Sequence, residues 1–264
     1  MNTFDLRNCL DEVMAMSREI GNWMKSQRVE EIHAELKTPN NLVTYVDKES
    51  ERRFVEGLSA LLPEAGFVAE EGTGKKNENG LNWVIDPLDG TTNFVHGVPV
   101  WCTSIGLALN EKPILGVIYD PNTDEMYAAA EGLGATLNGR RIVVSKIEKL
   151  SHALLATGFP YDDFGRVTPY LDLFKRLMTE TRGMRRLGSA ALDMAWTAAG
   201  RFEGFYEYGL NPWDVAAGAI IIREAGGKVE AFHEDGDPVF GEDLICTNGH
   251  IQEQLKELVR IYFP

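Results

Sequence analysis

The amino-acid sequence predicts a mixed fold, an α+β half followed by an α/β half, with two subdomains packed intimately together. The first observation is a change of pattern. Strand-like runs follow one another up to about residue 140, and beyond about residue 150 strands and helices alternate. The second is length: 264 residues is long for one core, so two packed subdomains stand level with one large domain. The third is composition, since 44% hydrophobic and 25% charged residues suit an ordinary water-soluble globular chain. The subdomains are expected at residues 1–145 and 146–264.

In the first half, Leu10, Val13, Met14, Ile20 and Trp23 recur at helical spacing between Phe4 and Met24, an amphipathic helix whose methionines fill core. Residues 29–46 read as strand, interrupted at Thr38-Pro39-Asn40-Asn41 by a hairpin tip, with Lys37 beside it as a solvated charge. Asp47 opens a helix that runs to about Leu62 through Phe54, Val55 and Leu58, and reads there as its N-cap. Gly66–Ala69 is a short strand leading to Glu70-Glu71. Neighbouring side chains on a strand face opposite ways, so only one of the two can aim into a pocket. Gly72 to Gly80 is a polar, glycine-rich surface loop. Cys102–Leu109 and Pro113–Tyr119 form a hairpin about Asn110-Glu111-Lys112, and Met126–Ala130 continues the meander.

In the second half, Ala153–Thr157 reads as strand, Pro169–Met178 as helix, and Ser189–Ala199 as a helix preceded by Gly188. Small residues at Gly188-Ser189-Ala190 suit close helix packing. Gly204–Tyr208 is a strand carrying Glu207. Asn211 then caps a helix with Pro212 at its favoured first position, which puts Asp214 in the first turn. The helix dipole there favours an ionised carboxylate by about 0.3–1 kcal/mol. Val215, Ile220, Ile221 and Ile222 seat this helix in the core, so Asp214 is rigidly held. Lys228–Phe232, Leu244–Thr247 and a helix from about Gln252 to Ile261 complete the chain.

The stretch Trp83 to Phe94 carries the chemistry. Trp83-Val84-Ile85 ends a buried strand, and Pro87 and Gly90 stop it, which leaves Asp86 and Asp89 at the strand's exit. Two carboxylates on a turn stiffened by Pro87 stay near each other and near the Leu88 carbonyl. At about 4 Å and an effective dielectric near 20 their repulsion costs about 4 kcal/mol, which calls for a counter-cation or a shared proton. The donors are hard oxygens, with no Cys or His from Asp86 to Gly90, and this favours Mg²⁺ over Zn²⁺ or Fe. Thr91-Thr92-Asn93 looks like a helix start whose hydroxyls and free N–H groups suit a phosphate. Asp-Pro and Asp-Gly steps also make plain surface turns. Here the turn follows a buried run directly, which favours the functional reading. His96, close by, has no partner at metal-ligand spacing.

Asp86 to Phe94, with Trp213-Asp214-Val215-Ala216-Ala217-Gly218 downstream and Glu70-Glu71 upstream, resembles the inositol monophosphatase family of Mg²⁺-dependent, lithium-sensitive phosphatases. The resemblance spans nearly the whole chain. It implies a layered αβαβα sandwich of the sugar-phosphatase-like kind and hydrolysis of a phosphate monoester, inositol 1-phosphate first among substrates. Alternatives of the same fold act on 3′-phosphoadenosine 5′-phosphate, fructose 1,6-bisphosphate, NADP or histidinol phosphate, and some bacterial relatives also act in transcription complexes. The resemblance further implies two or three Mg²⁺ held by Glu70, Asp86, the Leu88 carbonyl, Asp89 and Asp214. It pairs Asp47 with Thr91 to take a proton from the attacking water, with Glu70 as a third catalytic residue. Gly90 and Thr91 would hold the phosphate, and Asp89, Ala190, Glu207 and Asp214 the polyol. The hairpin near Lys37 would close over the site. Glu71 stands open between a supporting role and a solvated charge. Arg185 and Arg186 read as surface or subunit-interface charges, and a homodimer is expected.

Forty acids against twenty-six bases give a net charge of −14, which disfavours nucleic acid as a direct partner and repels a phosphate ester unless bound cations reverse the local field. Cys9, Cys102 and Cys246 are widely spaced without a CxxC, in keeping with a reduced cytoplasm. Asp5, Asp11 and Glu12 interrupt any signal-peptide pattern, and no apolar run reaches membrane-span length. No membrane partner is expected.

Overall fold

The structure, a computed structural model, describes residues 5–27, 35–38, 41–160 and 164–264. Helix α1 (Leu6–Lys25) begins at Asp5, whose carboxylate accepts the Arg7 and Asn8 N–H groups, and it buries Leu10, Val13, Ile20 and Met24 along one face. Strands β1 (Glu35–Thr38) and β2 (Asn41–Val43) pair antiparallel as the predicted hairpin. Its tip at Pro39-Asn40 and the side chain of Lys37 lie outside the described residues, as do residues 28–34. Helix α2 (Tyr45–Leu61) follows.

A seven-stranded sheet comes next: β3 (Gly66–Ala69), β4 (Leu81–Asp89), β5 (Cys102–Leu109), β6 (Lys112–Asp120), β7 (Glu125–Ala130), β8 (Gly134–Leu137) and β9 (Arg140–Arg141), in spatial order β3 to β9. Only the β3–β4 pair is parallel. One short helix, α3 (Thr91–Val95), interrupts it after β4. The β5–β6 turn is Asn110-Glu111 alone, both residues at positive φ (49° and 64°), the twist that two-residue hairpins need; Lys112 already belongs to β6.

Beyond residue 153 run β10 (Leu154–Thr157), α4 (Val167–Glu180), β11 (Gly183–Arg185), α5 (Ala190–Ala198), β12 (Gly204–Tyr208), α6 (Pro212–Glu224), β13 (Lys228–Glu230), β14 (Asp243–Thr247) and α7 (Gln252–Tyr262). Their five-stranded sheet has the order β11-β10-β12-β14-β13. β10 is parallel to both neighbours and β14 antiparallel to both. The edge strand β11 escapes sequence reading because three residues carry too little pattern.

The layers are αβαβα, as the resemblance implies. α1 and α2 cover one face of the larger sheet, α5 and α6 lie between the sheets, and α4 and α7 cover the outer face of the smaller one. Alternation along β4 divides the cores: Trp83 and Ile85 face α1 and α2, while Val84 faces the central helices. α6 is apolar nearly all round because it is enclosed, with Val215 to Ile222 all buried. It packs directly on the larger sheet. A Cβ at Gly116 would fall within 2.9 Å of the Ala217 Cα and 2.6 Å of Ile220, so only glycine lets helix and strand approach this closely.

Candidate active site

β4 does not stop at Ile85. It runs through Asp89, and its pairing slips between Asp86 opposite Ser104 and Asp89 opposite Cys102. Three steps on β4 thus face two on β5. Pro87 sits in that bulge, where the missing N–H costs no ladder bond, so the proline bends the strand without ending it. Asp86 Oδ1 accepts the Leu88 N–H at 2.9 Å across the bulge. Gly90 then turns the chain with φ +96° and starts α3; a Cβ there would lie 2.9 Å from the Val100 carbonyl oxygen. The predicted helix start exists, but it is little more than one turn.

Asp47 is not the N-cap of α2. Thr44 caps the helix and Asp47 stands at the third position of a capping box. Its Oδ2 accepts the Thr44 N–H (2.8 Å) and hydroxyl (2.5 Å), which leaves Oδ1 to accept the Thr91 hydroxyl at 2.8 Å. Thr91 Oγ1 is also 3.1 Å from the Leu88 carbonyl. With 1% exposure, Asp47 is pushed above the usual carboxylate range by burial, against the hydrogen bonds from Thr44 and Thr91. Asp214 repeats the device. It is the third residue of α6, and its Oδ2 accepts the Asn211 N–H at 2.7 Å.

β3 ends at Ala69, so Glu70 and Glu71 occupy a turn, not a strand as expected. The Glu70 N–H donates to the Ile85 carbonyl at 3.1 Å, tying the turn to β4. Buried Glu51, which sequence reading missed, holds the turn from below by accepting the Glu71 and Thr73 N–H groups at 2.8 and 2.9 Å. Across the cavity, Asp89 Oδ2 accepts the Ser189 hydroxyl at 2.6 Å and the Ala191 N–H at 2.7 Å. Ser189 caps α5, so the helix entrance orients Asp89. Burial nevertheless pushes the Asp89 carboxyl up to about 6.

These residues open onto one cavity of about 540 Å³. One group on its wall is Glu70, Asp86, Asp89 and Asp214, with Leu88, Gly90 and Thr91 beside it; Asp47 stands behind Thr91 and does not reach the wall itself. The other group is Glu207, Asp193 and Arg186, with Ala190 between. Burial pushes Asp86 well above its ordinary range, and Glu70, Asp89 and Asp214 add to it by repulsion. Burial, then Asp89, does the same to Asp214. Asp193 was not foreseen. It is 1% exposed on α5, its Oδ1 has no hydrogen-bond partner, and burial followed by Glu207 raises it. The available signal was a lone acid in the otherwise apolar run Ala190–Trp196. Arg186 also departs from expectation: it is the one basic side chain among the described residues of the wall, with its guanidinium 5.3 Å from the Phe159 ring. Arg185 and His96 do not line the cavity.

The donor chemistry fits a hard divalent cation. Four carboxylates from three separate segments share the wall with the Leu88 carbonyl nearby, and the positive field of Arg186 bears on Glu207 and Asp193 instead. Among the described residues no three such side chains stand close enough to grip an ion as placed.

A profile of the inositol monophosphatase family matches residues 5–262. The chain belongs to that family. An inositol-1-monophosphatase of Rhizobium meliloti (strain 1021) is 41% identical over 237 residues, 89% of each chain. A Pseudomonas aeruginosa protein named Nus factor SuhB is 43% identical over 230 residues, 85% of this chain and 82% of its own. Among solved structures, the extragenic suppressor protein suhB from Bartonella henselae superposes with a TM-score of 0.91 at 36% identity, covering 96% of this chain and 98% of that one. Membership makes the chain a phosphatase. Among the described residues, no helix is long and apolar enough to cross a membrane.

Proposed function

We propose that the chain is a Mg²⁺-dependent phosphate monoester hydrolase whose preferred substrate is inositol 1-phosphate. The observation that carries the reading is the cavity: Glu70, Asp86, Asp89 and Asp214 line one wall, and the Thr91–Asp47 hydrogen bond stands directly behind. Glu70, Asp86, the Leu88 carbonyl, Asp89 and Asp214 would hold two or three Mg²⁺. The ions supply Lewis acidity and positive charge to a phosphate that this acidic wall would otherwise repel.

The chain's own residues do the rest. The Thr91 hydroxyl directs its proton at Asp47 Oδ1, so its lone pairs are free to accept a proton from the attacking water. Asp47, made more basic by burial, takes the threonine's own proton as the water's proton arrives on Thr91 Oγ1. The first N–H groups of α3, at Gly90 and Thr91, lack intrahelical partners and orient the phosphate. Asp89, Ala190, Glu207 and Asp214 bind the alcohol's hydroxyls. Further parts of the same reading are a cytoplasmic homodimer, inhibition by lithium, and a division into subdomains at residues 145/146, supported by the break between β9 and β10.

A second role is favoured by the 43% identity to a protein named Nus factor SuhB. The net charge of −14 points such a role toward a protein partner and away from nucleic acid. The test is phosphate release from inositol 1-phosphate, fructose 1,6-bisphosphate, 3′-phosphoadenosine 5′-phosphate, NADP and histidinol phosphate, with and without Mg²⁺. Inositol 1-phosphate should be turned over fastest and only with the metal. Equal rates in chelator, or a clear preference for another ester, would overturn the assignment.

A further inference from the structure

Glu207 is seated on a glycine. β10 and β12 run parallel with Thr157 opposite Tyr206, so the next residue of each, Gly158 and Glu207, meet where the strands end at the cavity. An ideal Cβ on Gly158 would fall on the Glu207 carboxyl group, far inside van der Waals contact with Cδ and both oxygens. The carboxylate therefore occupies the space that any side chain at 158 would take.

The seat itself is rigid. The Tyr170 hydroxyl donates to the Gly158 carbonyl at 2.8 Å, and the Thr157 hydroxyl donates to the Tyr206 carbonyl at 2.8 Å. The two hydroxyls lie side by side, so these two bonds gather both strand ends into one buried polar cluster. Gly158 is not among the glycines with left-handed backbone, so alanine is conformationally allowed there. Of the two parties to the clash, the backbone is pinned and the end of the glutamate side chain is free to rotate. The carboxylate is the part that would move.

We propose that Gly158 is a specificity-determining positioning residue: its missing side chain holds the Glu207 carboxylate where it meets hydroxyl groups of a polyol phosphate. This rests on the reading of Glu207 as a polyol contact. Glu207 is buried and Arg186 is the one basic side chain among the described residues of the cavity wall, so a carboxylate displaced from residue 158 changes its distance to that cation and to the substrate alike. Losing a charged hydrogen bond to a substrate hydroxyl reduces discrimination by about tenfold or more.

The experiment compares kcat/KM for inositol 1-phosphate with that for p-nitrophenyl phosphate, which has no alcohol hydroxyls, in wild type, G158A, E207A and the double variant. In G158A the ratio should fall about tenfold, mainly through KM for inositol 1-phosphate. In the E207A background, G158A should change the ratio no further, because both act through one carboxylate. A crystal structure of G158A should show that carboxylate swung off residue 158. An unmoved carboxylate, an unchanged ratio, or a loss that adds fully to that of E207A would overturn the proposal. If wild type does not prefer inositol 1-phosphate, the substrate reading fails instead, and the crystallographic position of Glu207 alone then decides the role of Gly158.

Discussion

The cavity has two acidic walls built on different principles. The wall of Glu70, Asp86, Asp89 and Asp214 crowds like charges from three segments, and no basic side chain among the described residues of the wall is set against them; Asp86 and Asp214 are held by short local bonds, from the Leu88 and Asn211 N–H groups, while Asp89 is held from α5 by Ser189 and Ala191. The wall of Glu207 and Asp193 has its own cation, Arg186, and owes its geometry to strand pairing and helix packing. The first arrangement suits an external divalent ion; the second sets one cation against two acids and, partly compensated, suits neutral hydroxyls. On the proposed function, charge left uncompensated at one wall and partly compensated at the other would divide metal chemistry from substrate recognition.

The contrast breaks most sharply at Asp86. Asp86→Asn removes one charge from the centre of the uncompensated wall and should lower kcat/KM by at least about 10³-fold, the scale of several kcal/mol of charge stabilisation. Circular dichroism should show an unchanged fold, and normal phosphate release by the folded variant would remove Asp86 from the metal wall. A smaller loss is expected one step back from the metal. Thr91→Ala should cut kcat by about 10²-fold while Mg²⁺ affinity, read by titration calorimetry, stays nearly intact, since on the proposed function the hydroxyl relays a proton without ligating. A wild-type rate would exclude the Thr91–Asp47 relay.

The smallest effect sharpens the other wall. Asp193→Asn replaces a buried acid facing Glu207, Asp89 and Arg186, whose Oδ1 has no hydrogen-bond partner. Burial raises its pKa in the folded state, so the folded protein holds a proton that the unfolded chain has already released. Stability contributed by that proton is full below the unfolded value and is lost as pH rises through the folded one. Asn should therefore stabilise the protein at pH 8 by about 1 kcal/mol, a rise in Tm of roughly 2–4 °C, and by less near pH 4. A gain that grows on acidification would contradict the burial account.

Much of the first wall was legible in the chain. Trp83-Val84-Ile85 followed by Asp86, Pro87, Asp89 and Gly90 places two acids on a constrained turn whatever the rest of the fold does. Asn211-Pro212 likewise announces the helix that carries Asp214. Even here tertiary context altered details. Pro87 reads as a strand end, yet pairing with β5 carries the ladder across it as a bulge. Asp47 was read as a cap, yet the hydroxyl of Thr44 takes that place and frees one Asp47 oxygen for Thr91.

Sequence by itself determined the helices and most strands, the αβαβα layering through family resemblance, and the acids that ride on rigid local turns, because those follow from side-chain periodicity and bonds between residues a few positions apart. Only the tertiary structure decided that Ser189 orients Asp89 across 100 positions, that Asp193 and Arg186 face the cavity, and that Gly158 makes room for Glu207. Such contacts depend on which strands lie side by side and how closely helices approach them, and no local pattern of residues encodes that distance.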